Sequence, residues 1–220
     1  WFGTAGLADI EEETPWEPGQ PHRIGSVTKT MTAALVLQLA EEGVLDLDDR
    51  IEVWVPGYWE GPTLEHLLAH TSGIPSYNYI GGFDDGAAWT PTELVDWAWT
   101  HGRALTFEPG SAWAYSNTNY ALLGLVIEAA TGARYEQALQ ERLLEPLGLA
   151  SARMAGSGDH DDRIPHCYSG DPPVDVTEDV DPSVGWAAGG VVSTPEDLAW
   201  WTLALYGGAV IGPDLREAMT

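Results

Sequence analysis

The chain has 220 residues, 44% of them apolar, which suits one large domain with an ordinary packed core. Acidic side chains outnumber lysine and arginine 34 to 9, and a net charge of -25 repels phosphate backbones and anionic lipid surfaces, so nucleic-acid binding is excluded. The longest apolar stretch, Met31 to Ala40, is interrupted by Gln38 and falls short of the ~20 residues of a membrane span; the single cysteine, Cys167, excludes an internal disulfide and a cysteine-built zinc site. In chain order, residues 1–10 read as a strand, and Ile24-Gly25 as a tight entry into a helix from Ser26 to Glu42 with Gly43 at its end. That helix is apolar on nearly every face, so it should be central and buried. A proline and aromatic loop around Val55 to Pro62 follows, then a short helix from Thr63 to His70 stopped by "TSGIP", and another from Thr92 to His101 with Pro91 in its first turn. After a turn at Pro109-Gly110, an irregular stretch runs through Asn117 into a helix from Asn119 to Thr131, capped by Gly132. Tyr135 to Leu144 is one more helix, residues 156–182 form a long surface loop rich in Asp, Gly and Pro, and Thr194 caps a last helix from Pro195 to Leu205. Helices dominate, and strands are too few for a stable sheet.

Lys29 is the only lysine in the chain. It stands three residues after Ser26, and positions i and i+3 of a helix share a face with Cβ atoms about 5–6 Å apart. A partly buried amine exchanges protons near neutral pH, whereas a guanidinium stays charged, so this position has a chemical reason to differ from the surrounding arginines. At a helix start the Ser26 backbone N–H and the positive end of the dipole would also stabilise a developing oxyanion. The plainer alternative is that Ser26 only caps the helix and Lys29 is an exposed first-turn residue. A second polar cluster, "YSNTNY" from Tyr115 to Tyr120, contains good capping residues in Ser116, Asn117 and Thr118. Capping leaves Tyr115 unaccounted for. Beside a lysine ammonium its phenol would ionise more readily and take the Ser26 proton, while Asn117 has the donor and acceptor to hold a substrate amide.

Ser26-x-x-Lys29 with Tyr115-x-Asn117 resembles the first two motifs of the serine beta-lactamase and penicillin-binding protein superfamily, in the branch containing class C beta-lactamases, D-alanyl-D-alanine carboxypeptidases and related esterases. The stretches "IGSVTKTMTA", "LEHLLAHTSGIP" (Leu64 to Pro75), "FEPGSAWAYSNTNYALLG" (Phe107 to Gly124) and "AAGGVVSTPEDLAWW" (Ala187 to Trp201) agree with that branch in the expected order. The resemblance implies an α+β, beta-lactamase/transpeptidase-like fold in which a helical region packs on an antiparallel sheet with the site between them. It implies Ser26 as nucleophile of an acyl-enzyme, Lys29 and Tyr115 sharing proton transfers, Asn117 binding substrate, and no metal or organic cofactor. Substrates would be small molecules or peptides with an ester, D-amino-acid peptide or beta-lactam carbonyl, and an extracytoplasmic location follows from the resemblance alone.

The superfamily's third motif, Lys-Thr-Gly or His-x-Gly, is absent, since Lys29 is the only lysine and no histidine is followed two residues later by glycine. The resemblance puts a second oxyanion donor there, and losing one such donor costs ~3 kcal/mol of transition-state stabilisation. Residues 1–220 are therefore expected to be a partial hydrolase domain, truncated at both ends, with the helical region mostly present and the antiparallel sheet largely missing, and with weak or no turnover alone. The competing expectation is a non-catalytic cell-wall-peptide binding or regulatory module of the same fold. His70 reads as structural, because a serine beside a lysine and a tyrosine needs no histidine base. "HDDRIPHC", from His160 to Cys167, lacks regular ligand spacing and is not read as a metal site. The tryptophans, such as Trp97, Trp99, Trp200 and Trp201, read as core or groove packing, and Tyr77 or Tyr79 as candidates to line the cleft.

Overall fold

Helices packed around two central ones, with three small antiparallel sheets at the margins, make up the computed structural model, which describes residues 3–159, 161–213 and 215. Strand β1 (Leu7–Asp9) pairs with β2 (Thr14–Pro15), and β3 (His22–Arg23) leads through a 3₁₀ turn, Gly25–Val27, into α1 (Thr28–Glu41). The short helices α2 (Ile51–Trp54) and α3 (Leu64–Leu68) precede α4 (Pro91–His101) and α5 (Asn117–Thr131). Helix α6 (Tyr135–Leu139) continues through a π turn, Gln140–Leu144, into α7 (Glu145–Leu147). Strand β4 (Arg153–Met154), a hairpin of β5 (Tyr168–Ser169) and β6 (Val174–Asp175), α8 (Trp186–Gly189), β7 (Val191–Ser193) and α9 (Pro195–Gly207) complete the order.

Local chemistry sets several helix boundaries. Thr90 accepts from the Glu93 N–H while the Glu93 carboxylate accepts from the Thr90 N–H, with Pro91 in the first turn. Thr63 and His66 make the same reciprocal pair at α3, with the imidazole Nδ1 in place of a carboxylate. Thr194 accepts from Asp197 N–H at α9. Gly132 and Gly208 end α5 and α9 in the left-handed conformation that glycine adopts without steric cost.

Helix α1 buries 10 of its 14 residues, from Thr28 through Leu39, as the all-round apolar pattern predicts. Its buried hydroxyls tie it to α8 and β7: Thr32 donates to the Ala187 carbonyl at 2.7 Å, and Thr28 Oγ1 accepts from Val191 N–H at 3.2 Å. Helix α5 packs so closely on α8 that a Cβ at Gly124 would lie 2.6 Å from the Trp186 ring and 2.8 Å from the Ala187 Cβ. Only glycine permits that approach. Strand β7, buried at all three residues, is the middle of the β3-β7-β4 sheet, with His22 opposite Ser193, and Arg23 and Arg153 both opposite Val192.

The structure corrects several boundaries. The opening strand covers only Leu7–Asp9, and Trp1 and Phe2 lie outside the described residues. Ser26 falls in the 3₁₀ turn, with α1 starting at Thr28. Asn117 is the first residue of α5 and not part of an irregular stretch, because Ser116 takes the extended N-cap conformation and the helix starts two residues earlier than expected. The acidic loop contains the β5-β6 hairpin. Trp201 is buried, but its neighbour Trp200 is 58% exposed, since adjacent residues on a helix point about 100° apart. No helix is long and apolar enough to cross a membrane among the described residues.

Candidate active site

The turn before α1 presents Ser26 at the surface, and the first turn of α1 carries Lys29 inward, where only 6% of it is exposed. Lys29 is thus not an exposed first-turn residue. Its Nζ donates to Ser26 Oγ (3.2 Å), to Asn117 Oδ1 (2.8 Å) and to the Ala188 carbonyl (2.6 Å). Tyr115 Oη lies 2.6 Å from the same Ser26 Oγ. All four residues singled out in the sequence therefore meet in one cluster, although 88 residues separate Lys29 from Asn117.

Burial pushes the Lys29 amine down to about 8, because removing water penalises the charged form. The rings of Tyr115 and Tyr120 lie 4.8 and 5.4 Å from Nζ, close enough for each to attract the ammonium. Asn117 is held at both ends: its Oδ1 accepts from Lys29, its Nδ2 donates to Asn78 Oδ1 (3.1 Å), and its backbone N–H donates to Ser76 Oγ (2.8 Å). Its amide keeps one N–H and one oxygen lone pair beyond these contacts.

A cavity of about 250 Å³ opens over Ser26 and Asn117, with Tyr77, Asn78, Asp85 and Gly189 among its walls. Tyr77 is buried and donates to the Val184 carbonyl at 2.6 Å, which fixes the wall; Tyr79 is 74% exposed and does not line this cavity. Asn78, Ser76 and the Ala188 carbonyl belong to the cluster without having been identified from sequence, and His70, read there as structural, lies against the Tyr115 ring. Ser76 and His70 had one available signal: both fall in or beside the "HTSGIP" turn. A main-chain carbonyl such as that of Ala188 leaves no mark on side-chain identity.

Away from Ser26, Asp9, Glu11 and His166 offer ligand atoms within 4.8 Å of one another at the surface. His166 Nδ1 is 2.7 Å from Asp175 Oδ2, and Tyr168 donates to Glu11 at 2.6 Å, so these groups bind the β5-β6 hairpin to the N-terminal hairpin. Within "HDDRIPHC", Asp161 pairs with Arg153 and Arg163, and His160 lies outside the described residues.

The model of the Beta-lactamase family matches residues 1–220. The chain belongs to the beta-lactamase family. Among curated members, the D-alanyl-D-alanine-carboxypeptidase/endopeptidase AmpH of Escherichia coli (strain K12) is 32% identical over 186 residues, 81% of this chain and 47% of that protein. Among solved structures, the D-stereospecific amidohydrolase from Streptomyces sp. superposes with a TM-score of 0.83 at 35% identity, covering 92% of this chain and 65% of that one. The D-amino acid amidase from Ochrobactrum anthropi SV3, complexed with D-phenylalanine, gives a TM-score of 0.86 at 29% identity over 96% of this chain and 64% of that one. This beta-lactamase-family chain spans less than half of that curated relative and about two thirds of those solved structures. Its fold is the α+β, beta-lactamase/transpeptidase-like one that the motifs imply, with the helical part extensive and the sheets reduced to strands of two or three residues.

Proposed function

We propose that this chain carries the acylation centre of a serine hydrolase acting on an amide or ester carbonyl, with Ser26 as nucleophile, Lys29 and Tyr115 as proton-transfer groups, and Asn117 as the residue that orients Lys29 and meets the substrate. The observation that carries this reading is a single exposed oxygen, Ser26 Oγ, within hydrogen-bond reach of both Lys29 Nζ and Tyr115 Oη at the floor of a cavity. A hydroxyl alone is a weak nucleophile, and an adjacent amine that has lost its proton activates it.

The proton inventory supports Lys29 as the base. A neutral amine keeps two N–H groups, which match the two acceptor-only partners, Asn117 Oδ1 and the Ala188 carbonyl, and leaves its lone pair for the Ser26 hydroxyl. Ser26 Oγ then attacks the carbonyl carbon while its proton passes to Nζ. Tyr115, on the same oxygen, is placed to donate to the departing nitrogen or oxygen as the carbonyl bond to it breaks, and Lys29 returns the proton to the phenolate. Water then attacks the acyl-enzyme and regenerates Ser26.

For substrate we favour an ester or a D-amino-acid amide or peptide over a beta-lactam, a reading supported by relatives named as D-amino acid amidase and D-alanyl-D-alanine carboxypeptidase. Residues 1–220 are read as one beta-lactamase-related domain, partial in that the strand bearing the third motif is not among them. Acylation, which needs the serine and its bases, is accordingly expected to outrun turnover.

The test is a stopped-flow experiment with a p-nitrophenyl ester, repeated with the p-nitroanilide of D-phenylalanine and with a chromogenic cephalosporin. A burst of about one equivalent of nitrophenolate that disappears in Ser26→Ala is expected, with the ester and the D-anilide reacting faster than the cephalosporin. Release at equal rates from the natural chain and Ser26→Ala would defeat the catalytic reading and leave the binding module in its place.

A further inference from the structure

One half-buried side chain of the Ser26 cluster has no part in the proton transfers. His70 follows α3 with φ +58, in the left-handed region that few residues other than glycine adopt, asparagine, aspartate and histidine being the commonest of them. From that position it grips the segment leading to α5 twice: its carbonyl accepts from Ala114 N–H (3.0 Å), and its Nδ1 accepts from Ser116 N–H (3.1 Å). Its ring lies against Tyr115, with centroids 4.6 Å apart and planes tilted by 31°, and against Tyr120 at 5.2 Å.

An Nδ1 that accepts a backbone N–H cannot also bear a proton, so the imidazole is neutral with its hydrogen on Nε2. Burial, and then the positive charge of Lys29, push His70 down to about 4, in keeping with that state. The groups facing it are Lys29 from α1, Trp113 and Tyr115 from the preceding segment, and Tyr120 from α5. None is a carboxylate that would favour the imidazolium. A residue that accepts from the backbone N–H groups on both sides of Tyr115, and whose ring lies against the phenol that touches the nucleophile, points to a role in aiming that phenol.

We propose that His70 is a positioning residue for acyl transfer: by holding the Ser116 backbone and packing against the Tyr115 ring, it fixes the phenol hydroxyl on Ser26 Oγ. The proposal rests on the reading of Ser26 and Tyr115 as the reacting pair. Misplacing a reacting group by about 1 Å is enough to cost on the order of 100-fold in rate.

The experiment is a double-mutant cycle on the second-order rate of Ser26 acylation by a p-nitrophenyl ester. It compares the natural chain, His70→Ala, Tyr115→Phe and the double variant, with melting temperatures measured alongside. His70→Asn is the conservative variant, since asparagine tolerates positive φ and its Oδ1 can accept from Ser116 N–H in place of Nδ1. Should His70→Ala not fold, His70→Asn takes its place in the cycle. The expected result is a loss on the order of 100-fold for His70→Ala with Tyr115 present and little further loss in the Tyr115→Phe background, with His70→Asn recovering part of the rate. Equal losses in both backgrounds would mean that His70 acts on stability or elsewhere in the site, and would overturn the proposal. An unreactive natural chain would instead overturn the reading of Ser26 on which it rests.

Discussion

Lys29 has three polar neighbours and, as an ammonium, three N–H groups to give them, so its charged form is well satisfied inside the cluster. Removal from water nonetheless brings it down to about 8, a value from which it can exchange a proton near neutral pH. If the neutral amine is the base, Ser26 acylation rises about tenfold per pH unit below that value, as each unit releases ten times more free amine, and levels off above it. A pH-rate profile measured between pH 5 and 10 checks this, and a rate that falls as pH rises through 8 would assign the active form to the ammonium. Lys29→Arg keeps the charge but stays protonated throughout, so its acylation rate should drop by about 100-fold or more and lose this pH limb. A rate near that of the natural chain would remove Lys29 from the base role. Ser26, Lys29, Tyr115 and Asn117 were legible in the sequence because acyl-transfer chemistry calls for these residue types, and each pair stands at a short motif spacing. Their supports were not, because the Ala188 carbonyl and the Asn78 amide reach Lys29 and Asn117 through the tertiary fold alone.

The elements that place the cluster are α1, α5 and α8, and their mutual approach depends on Gly124. A Cβ there would collide with the Trp186 ring and the Ala187 Cβ, both rigidly held: Trp186 has φ +31 and donates through its indole to Glu136. Overpacking of this kind costs about 1–3 kcal/mol, and the shift it forces would carry the adjacent Ala188 carbonyl away from Lys29. Gly124→Ala should therefore lower both the urea midpoint and the acylation rate, while Thr90→Ala, which removes a distant helix cap, should cost about 1 kcal/mol of stability and leave acylation unchanged. Parallel denaturation and acylation measurements on the two variants separate these effects; an unaffected rate in Gly124→Ala would show that α8 does not need this approach to hold the carbonyl. Helix α1 was readable from its unbroken apolar pattern, and α4 and α9 from their proline and threonine starts. The start of α5 was not, since the polar run "YSNTNY" offers several cap candidates and Ser116 is held by donating its backbone N–H to the Nδ1 of His70, from a segment 46 residues away. The two- and three-residue strands after β1 were equally hidden, because so short a run shows no alternation.

Across the whole molecule, a net charge of -25 surrounds a site whose one lysine is buried. The charge repels phosphate backbones and says nothing of the reaction, which had to be read from the order of motifs along the chain. That order survives in the fold: the serine turn at the start of α1, the "HTSGIP" turn after α3, the tyrosine ahead of α5 and Ala188 of α8, near the start of the "AAGGVVSTPEDLAWW" stretch, all lie in or beside one cluster. The central claim is that Ser26, among all hydroxyls of the chain, is the nucleophile. Intact-mass spectrometry after exposure to a fluorophosphonate tests it directly. The expected result is one adduct per chain, mapping to Ser26 on peptide sequencing and absent from Ser26→Ala. No adduct, or one that persists in Ser26→Ala, would contradict the account.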